Sequence, residues 1–127
     1  MDARAFARVA AGIVFLVFGI GKFSQHTSEV DSFRTYGLPS PDAFVYAIGV
    51  LEIGGGALLV LGLLTRLTAL ALAGDMVAAI ALSGIKEGEW ISLTLAPALL
   101  IVMAVLMRSG PGRPSLDERR ERQAARR

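Results

Sequence analysis

Leu99-Leu100-Ile101-Val102-Met103-Ala104-Val105-Leu106 is apolar through more than two helical turns, and Ile13-Val14-Phe15-Leu16-Val17-Phe18 repeats the pattern near the other end of the chain. A helix of a soluble bundle keeps a polar stripe at a period of 3.6 residues. Neither stretch has one. Working outward from them, apolar segments run over about residues 5–23, 43–64, 67–84 and 90–107. At about 1.5 Å per residue each would be roughly 27–33 Å long as a helix, the thickness of a bilayer's hydrocarbon core. The reading is therefore an all-α membrane protein: a four-transmembrane-helix bundle over residues 1–108, followed by a charged tail over 109–127.

Composition agrees. Of 127 residues, 54% are hydrophobic and 19% charged, which excludes disordered chains and nucleic-acid-binding domains. With no cysteine the chain makes no disulfide, thiol redox pair or iron–sulfur ligand set, and one histidine cannot build a multi-histidine metal site. Arg4 and Arg8 before an apolar core resemble a signal peptide, but Phe23-Ser24-Gln25-His26 replaces the small-residue cleavage site, so the first span reads as a retained helix.

Basic residues orient the bundle. The N-terminus, the turn at Thr65-Arg66 and the tail hold Arg4, Arg8, Arg66, Arg108, Arg113, Arg119, Arg120, Arg122, Arg126 and Arg127. The opposite loops hold Lys22, Arg34 and Lys86. The positive-inside rule then places both termini in the cytoplasm. In the first outer loop, Ser28-x-x-Asp31 reads as a capping box, and Val30, Phe33 and Tyr36 as one face of a short interfacial helix. Ser40-Pro41-Asp42 reads as N-cap, N1 proline and dipole-matched acid of span two. Pro97 frees a carbonyl within span four, which predicts a kink. Ser115-x-x-Glu118 caps a tail segment without an apolar stripe, read as solvated.

Ionisable groups inside the spans need a reason, since each costs about 2.5–3.5 kcal/mol near mid-bilayer. Glu52 and Asp75 fall at similar depths in spans two and three, about 16 and 13 Å from the outer span ends. Helical neighbours of Glu52 include Gly49, Gly55 and Gly56, and those of Asp75 include Ala71, Ala78 and Ala79. Small residues there predict close approach of another helix. Lys22, nearer the outer surface, has a stem long enough to reach Glu52. Lys22, Glu52 and Asp75 are thus the candidate polar site, with Arg8 as a rival partner for Asp75. His26 and Arg66 are secondary candidates. The bland alternative is that paired charges fix helix registry and do nothing else. Met76, Met103 and Met107 read as fillers, and Gly54-Gly55-Gly56 is no phosphate loop, because no strand precedes it.

In order along the chain, Arg8, Gly19-x-x-Lys22, Gly37-Leu38-Pro39, Glu52-x-x-Gly55-Gly56 and Gly62-Leu63-Leu64-Thr65-Arg66 resemble the DoxX/DoxD-like family of small membrane proteins. The resemblance covers roughly residues 4–82; the fourth span matches in hydrophobicity alone. It implies a four-helix membrane bundle associated with quinone-linked sulfur oxidation or membrane redox-stress systems, with Lys22, Glu52 and Arg66 as motif residues. A redox role would use a quinone near Glu52 and Asp75, no covalently bound cofactor, and partner redox proteins or a homo-oligomer carrying the remaining chemistry. Two other readings stand beside this accessory-subunit one: a small-solute or proton-coupled transporter, and a scaffold recruiting cytoplasmic partners through the arginine-rich tail. Besides the lipid bilayer, no nucleic-acid partner is expected.

Overall fold

The structure, a computed structural model, describes residues 1–85, 87–113 and 115–126, and of Ile91 the backbone alone. Lys86 and Arg127, counted in the charge asymmetry, lie outside the described residues. All regular structure among them is helical: α1 (Ala3–Ser24), α2 (His26–Thr35), α3 (Pro41–Leu61), α4 (Thr65–Ala79), α5 (Trp90–Ser109) and α6 (Leu116–Ala125). A π-helix, Ile80–Ile85, continues α4. Among the described residues four helical segments are long and apolar enough to cross a membrane: Ala3–Ser24, Pro41–Leu61, Thr65–Ile85 and Ser92–Ser109. Val17, Val50, Leu67 and Ile101, one on each segment, are more than 60% exposed, as lipid-facing side chains are.

Two glycine contacts set the closest approach in the bundle. α1 lies against α3, and a Cβ on Gly12 would stand 2.7 Å from the Gly56 carbonyl oxygen; one on Gly19 would stand 2.8 Å from the Ile53 nitrogen. Backbone meets backbone there, so even alanine is excluded. Helix association in a bilayer lacks a hydrophobic driving force between helices and relies on such close packing. α4 pairs with α5 through Ala69, Leu72, Ala73 and Met76 against Ala96, Leu99, Met103 and Leu106. Gly55 faces Leu72 on α4, so the three glycines around Glu52 serve two neighbours: Gly49 and Gly56 meet α1, and Gly55 meets α4.

Several local expectations are revised. α2 begins at His26, so Ser28 lies inside it and caps nothing. Ser40 is the α3 N-cap residue but sits at φ 48° with no side-chain capping bond, and Pro41 opens the helix. The α3–α4 turn is built by Gly62 (φ 70°) and Leu64 (φ 51°), ahead of the expected Thr65-Arg66. The tail is not wholly solvated. Ser115 is buried and caps α6 through Glu118 N–H. Asp117 N–H donates to the Gly62 carbonyl, and the Asp117 carboxylate accepts the N–H groups of Leu64 and Thr65, both at 2.8 Å. An acid at a helix start meets both its unpaired donors and its dipole. Sequence periodicity could not show this, because a polar side chain binds backbone across more than 50 residues. Beyond Glu118, residues 119–126 are exposed, as a solvated segment is.

The same end holds Arg8, which is buried; its Nε donates to the Leu59 carbonyl at 2.7 Å and its Nη1 to that of Pro111. Asp2 caps α1 through Ala5 N–H and accepts Arg113 N–H, and these two backbone donors hold its carboxyl below the usual range. The N-terminus, the α3–α4 turn and the start of the tail form one polar cap over the bundle.

Candidate functional site

At the opposite end, where α2 crosses the bundle, the intramembrane charges converge. Lys22 enters from the last turn of α1, Glu52 from the middle of α3 and Asp75 from α4. Lys22 Nζ stands 3.1 Å from Glu52 Oε1, with side-chain exposures of 10% and 5%. The pair is ionic but not aligned as a hydrogen bond, so Glu52 Oε1 still lacks a donor, as does the inaccessible Asp75 Oδ2. The Asp75 and Glu52 carboxyls lie side by side, with Lys22 the ammonium paired to Glu52.

The three expected site residues are therefore brought together, and the secondary candidates are not. Arg8 belongs to the polar cap at the other end and is not a partner of Asp75; backbone carbonyls, which charge counting ignores, claim its guanidinium. Arg66 lies at that end as well, its guanidinium folded over Gly110. His26 is adjacent but separate: its ring stacks on Tyr46 at 4.2 Å and its Nε2 lies 3.0 Å from Asp42 Oδ1, fastening α2 to α3.

The charged group opens into a cavity of about 360 Å³. Phe15, Phe18, Phe33, Tyr36 and Phe44 line it, and Glu52 and Asp75 reach its wall. Ligand pockets for small molecules run from about 300 to 1,000 Å³, mostly apolar with a few polar groups. Sequence reasoning missed most of these walls. Phe33 comes from α2 and Tyr36 from its C-cap, with Lys22 Nζ 6.0 Å from the Phe33 ring centre. Tyr36 Oη donates to the Glu89 carboxylate at 3.0 Å, tying the end of α2 to the start of α5. Burial and the Glu89 carboxylate together push the Tyr36 phenol up to about 12. Ser83, on the π-helix, bonds the Ala79 carbonyl at 2.9 Å and the Ser92 hydroxyl. π-Helical turns widen a helix and recur at functional sites; here the turn carries Leu82 and Ser83 into the cavity wall. A further acid, Glu29 on α2, stands 4.0 Å from Lys22 Nζ and also lines the cavity. Its one sequence signal is spacing, seven residues after Lys22 across the α1–α2 break.

The DoxX family model matches residues 3–85, which hold Lys22, Glu52 and Asp75. The chain belongs to the DoxX family. It is 37% identical to the uncharacterized membrane protein Rv3486 of Mycobacterium tuberculosis over 132 aligned positions, covering 92% of this chain and 80% of that protein. It is also 37% identical over 73 positions to CatD of Bacillus subtilis, whose name assigns it provisionally to the oxidoreductases; that match covers 58% of this chain and 53% of CatD. No solved structure shows a significant match.

Proposed function

We propose that this DoxX protein is an accessory subunit of a redox, quinone-linked membrane assembly, and that the cavity above Lys22, Glu52 and Asp75 holds the quinone headgroup. The observation that carries the reading is the pairing of a mostly apolar, aromatic-walled cavity with a charged floor whose Glu52 and Asp75 oxygens are incompletely bonded. A quinone ring is flat and apolar on its faces and presents two carbonyl acceptors. The aromatic walls suit the faces. Lys22 suits a carbonyl as donor, and the unpartnered Glu52 Oε1 and Asp75 Oδ2 suit the hydroxyls of the reduced quinol as acceptors. When bound, a quinone supplies two-electron, two-proton chemistry. The chain's own residues orient it, exclude water through Phe33 and Phe44, and hold a proton at the carboxyl pair. Electron-carrying groups belong to partner proteins. The oxidoreductase name of CatD supports a redox setting.

The same reading places residues 1–108 in the bacterial cytoplasmic membrane, with the termini and the 109–127 tail in the cytoplasm. α2 then lies at the outer interface, with Val30 buried and Phe33 and Tyr36 at the cavity. The distribution of arginine supports this orientation. Cysteines at Ser32 and Arg122 of the cysteine-free chain report it: an impermeant thiol reagent labels the first in intact cells and spares the second.

Titration of the purified protein with a short-chain quinone tests the function. Saturable binding is expected, weakened about tenfold in Glu52→Gln or Lys22→Met, the loss of one charge-assisted hydrogen bond. Binding unchanged in both variants, or no saturable binding, rejects the site.

A further inference from the structure

Burial around the charged group is graded. Glu29 on α2 has a side chain 27% exposed, Lys22 10% and Glu52 5%. Asp75, beside Glu52, is half-buried, with its Oδ2 inaccessible. Lys22 Nζ thus sits between a carboxyl that meets solvent and a carboxyl that does not, 4.0 Å from one and 3.1 Å from the other. Around these four, Tyr36 and Glu89 face the same cavity from the ends of α2 and the α4–α5 connection. His26 and Asp42 pair just outside it.

Toward the tail end nothing comparable continues among the described residues. Ala11, Leu59, Ala69, Leu72, Met103 and Leu106 are buried and fill the bundle below the carboxyls. Along α4 the next buried polar side chain among the described residues is Thr68, seven residues or about 10 Å from Asp75. Further on, the Arg8 guanidinium is engaged by backbone carbonyls of Leu59 and Pro111. A packed apolar layer of that thickness offers no hydrogen-bonding group for a proton to move along. The 360 Å³ cavity, by contrast, has room for several waters at about 30 Å³ each between the carboxyl pair and Glu29.

We propose that the Glu52–Asp75 pair takes up and releases a proton on one side of the membrane alone, the α2 side, and that Glu29 is the relay. The proton leaves the carboxyl pair and is taken by the Glu29 carboxylate. Lys22 keeps its own protons and tightens on the carboxylate left behind at Glu52. Glu29 then releases the proton to the aqueous phase, and the reverse order reloads the pair. Lys22 Nζ stands within 4.0 Å of both acids, so whichever of Glu29 and Glu52 is ionised has the ammonium beside it. This access belongs to the chain's own residues, so it stands or falls separately from quinone binding.

The experiment uses the full chain in membrane vesicles of both orientations, with pH set independently on the two sides. Dicyclohexylcarbodiimide, a lipid-soluble reagent that modifies protonated carboxyls, reports the pair, read by mass spectrometry of peptides containing Glu52 or Asp75. Labelling is expected to follow the pH on the α2 side and to ignore the pH on the tail side. Glu29→Gln should slow the response to a pH step several-fold, and Glu29→Asp should restore it. Labelling that follows the tail side, follows both sides equally or shows no pH dependence overturns the proposal. So does an unslowed response in Glu29→Gln. Loss of quinone binding with sided labelling intact would strike the functional reading alone.

Discussion

Removing Lys22 is the sharpest perturbation of the charged group, and its cost differs from that of removing Glu52. Lys22→Met removes the ammonium paired to Glu52 and leaves Glu52 and Asp75 side by side, while Arg8 and Arg66 are at the other end of the bundle. Breaking a buried ion pair on one side costs about 3–5 kcal/mol. Glu52→Gln is milder. Lys22 retains Glu29 at 4.0 Å, and the amide keeps a hydrogen-bonding group beside Asp75, so about 1–3 kcal/mol is expected, the range for leaving a buried polar group without its partner. The double variant removes the cation and its principal partner together and should recover a kcal/mol or more of the summed losses. Reversible unfolding in mixed micelles, run as a double-mutant cycle, measures the coupling. Additive losses, or a Glu52→Gln cost above that of Lys22→Met, would refute the reasoning.

Further expectations follow from the packing. Gly12→Ala or Gly56→Ala should destabilise by about 1–3 kcal/mol through backbone overpacking, whereas Gly74→Ala, with no atom within 4 Å of the added Cβ, should be neutral or stabilise by up to about 1 kcal/mol; thermal unfolding in detergent separates them. Asp117→Ala removes both capping bonds at the start of α4 and should cost about 1–2 kcal/mol, with faster tryptic cleavage at Arg119 and Arg120 as the tail lifts off. Tyr36 titrates at about 12 folded and near 10 unfolded, so its neutral form stabilises the fold below pH 10 and that contribution is lost as pH rises from 10 to 12. In Tyr46→Phe protein, tyrosinate absorbance should appear with a midpoint near 12 before unfolding, and a midpoint near 10 would contradict the Tyr36–Glu89 contact.

The spans and the Lys22–Glu52–Asp75 group were legible in the sequence because a bilayer makes both conspicuous. Apolar runs of bilayer length have few soluble explanations, and an acid among them stands out against its surroundings. Glycines at helical spacing around Glu52 also marked a buried face. The remainder depends on contacts that leave no local pattern. Arg8 looked like a partner for Asp75 because charge invites an opposite charge, yet backbone carbonyls of Leu59 and Pro111 satisfy it. Asp117 caps a helix that begins 52 residues earlier. Helices that are apolar all round hide which residues meet a neighbour and which meet lipid, so Phe15 and Phe18 could not be assigned to a cavity. The π-helical turn that carries Ser83 into the wall follows ordinary apolar sequence.

A structure of the protein with a short-chain quinone bound tests the central claim most directly. The headgroup is expected within the cavity, with one of its oxygens within hydrogen-bonding distance of Lys22 Nζ and its ring against Phe33 or Phe44. A headgroup held elsewhere on the bundle, with the Lys22–Glu52 pair and the cavity unchanged, would contradict it.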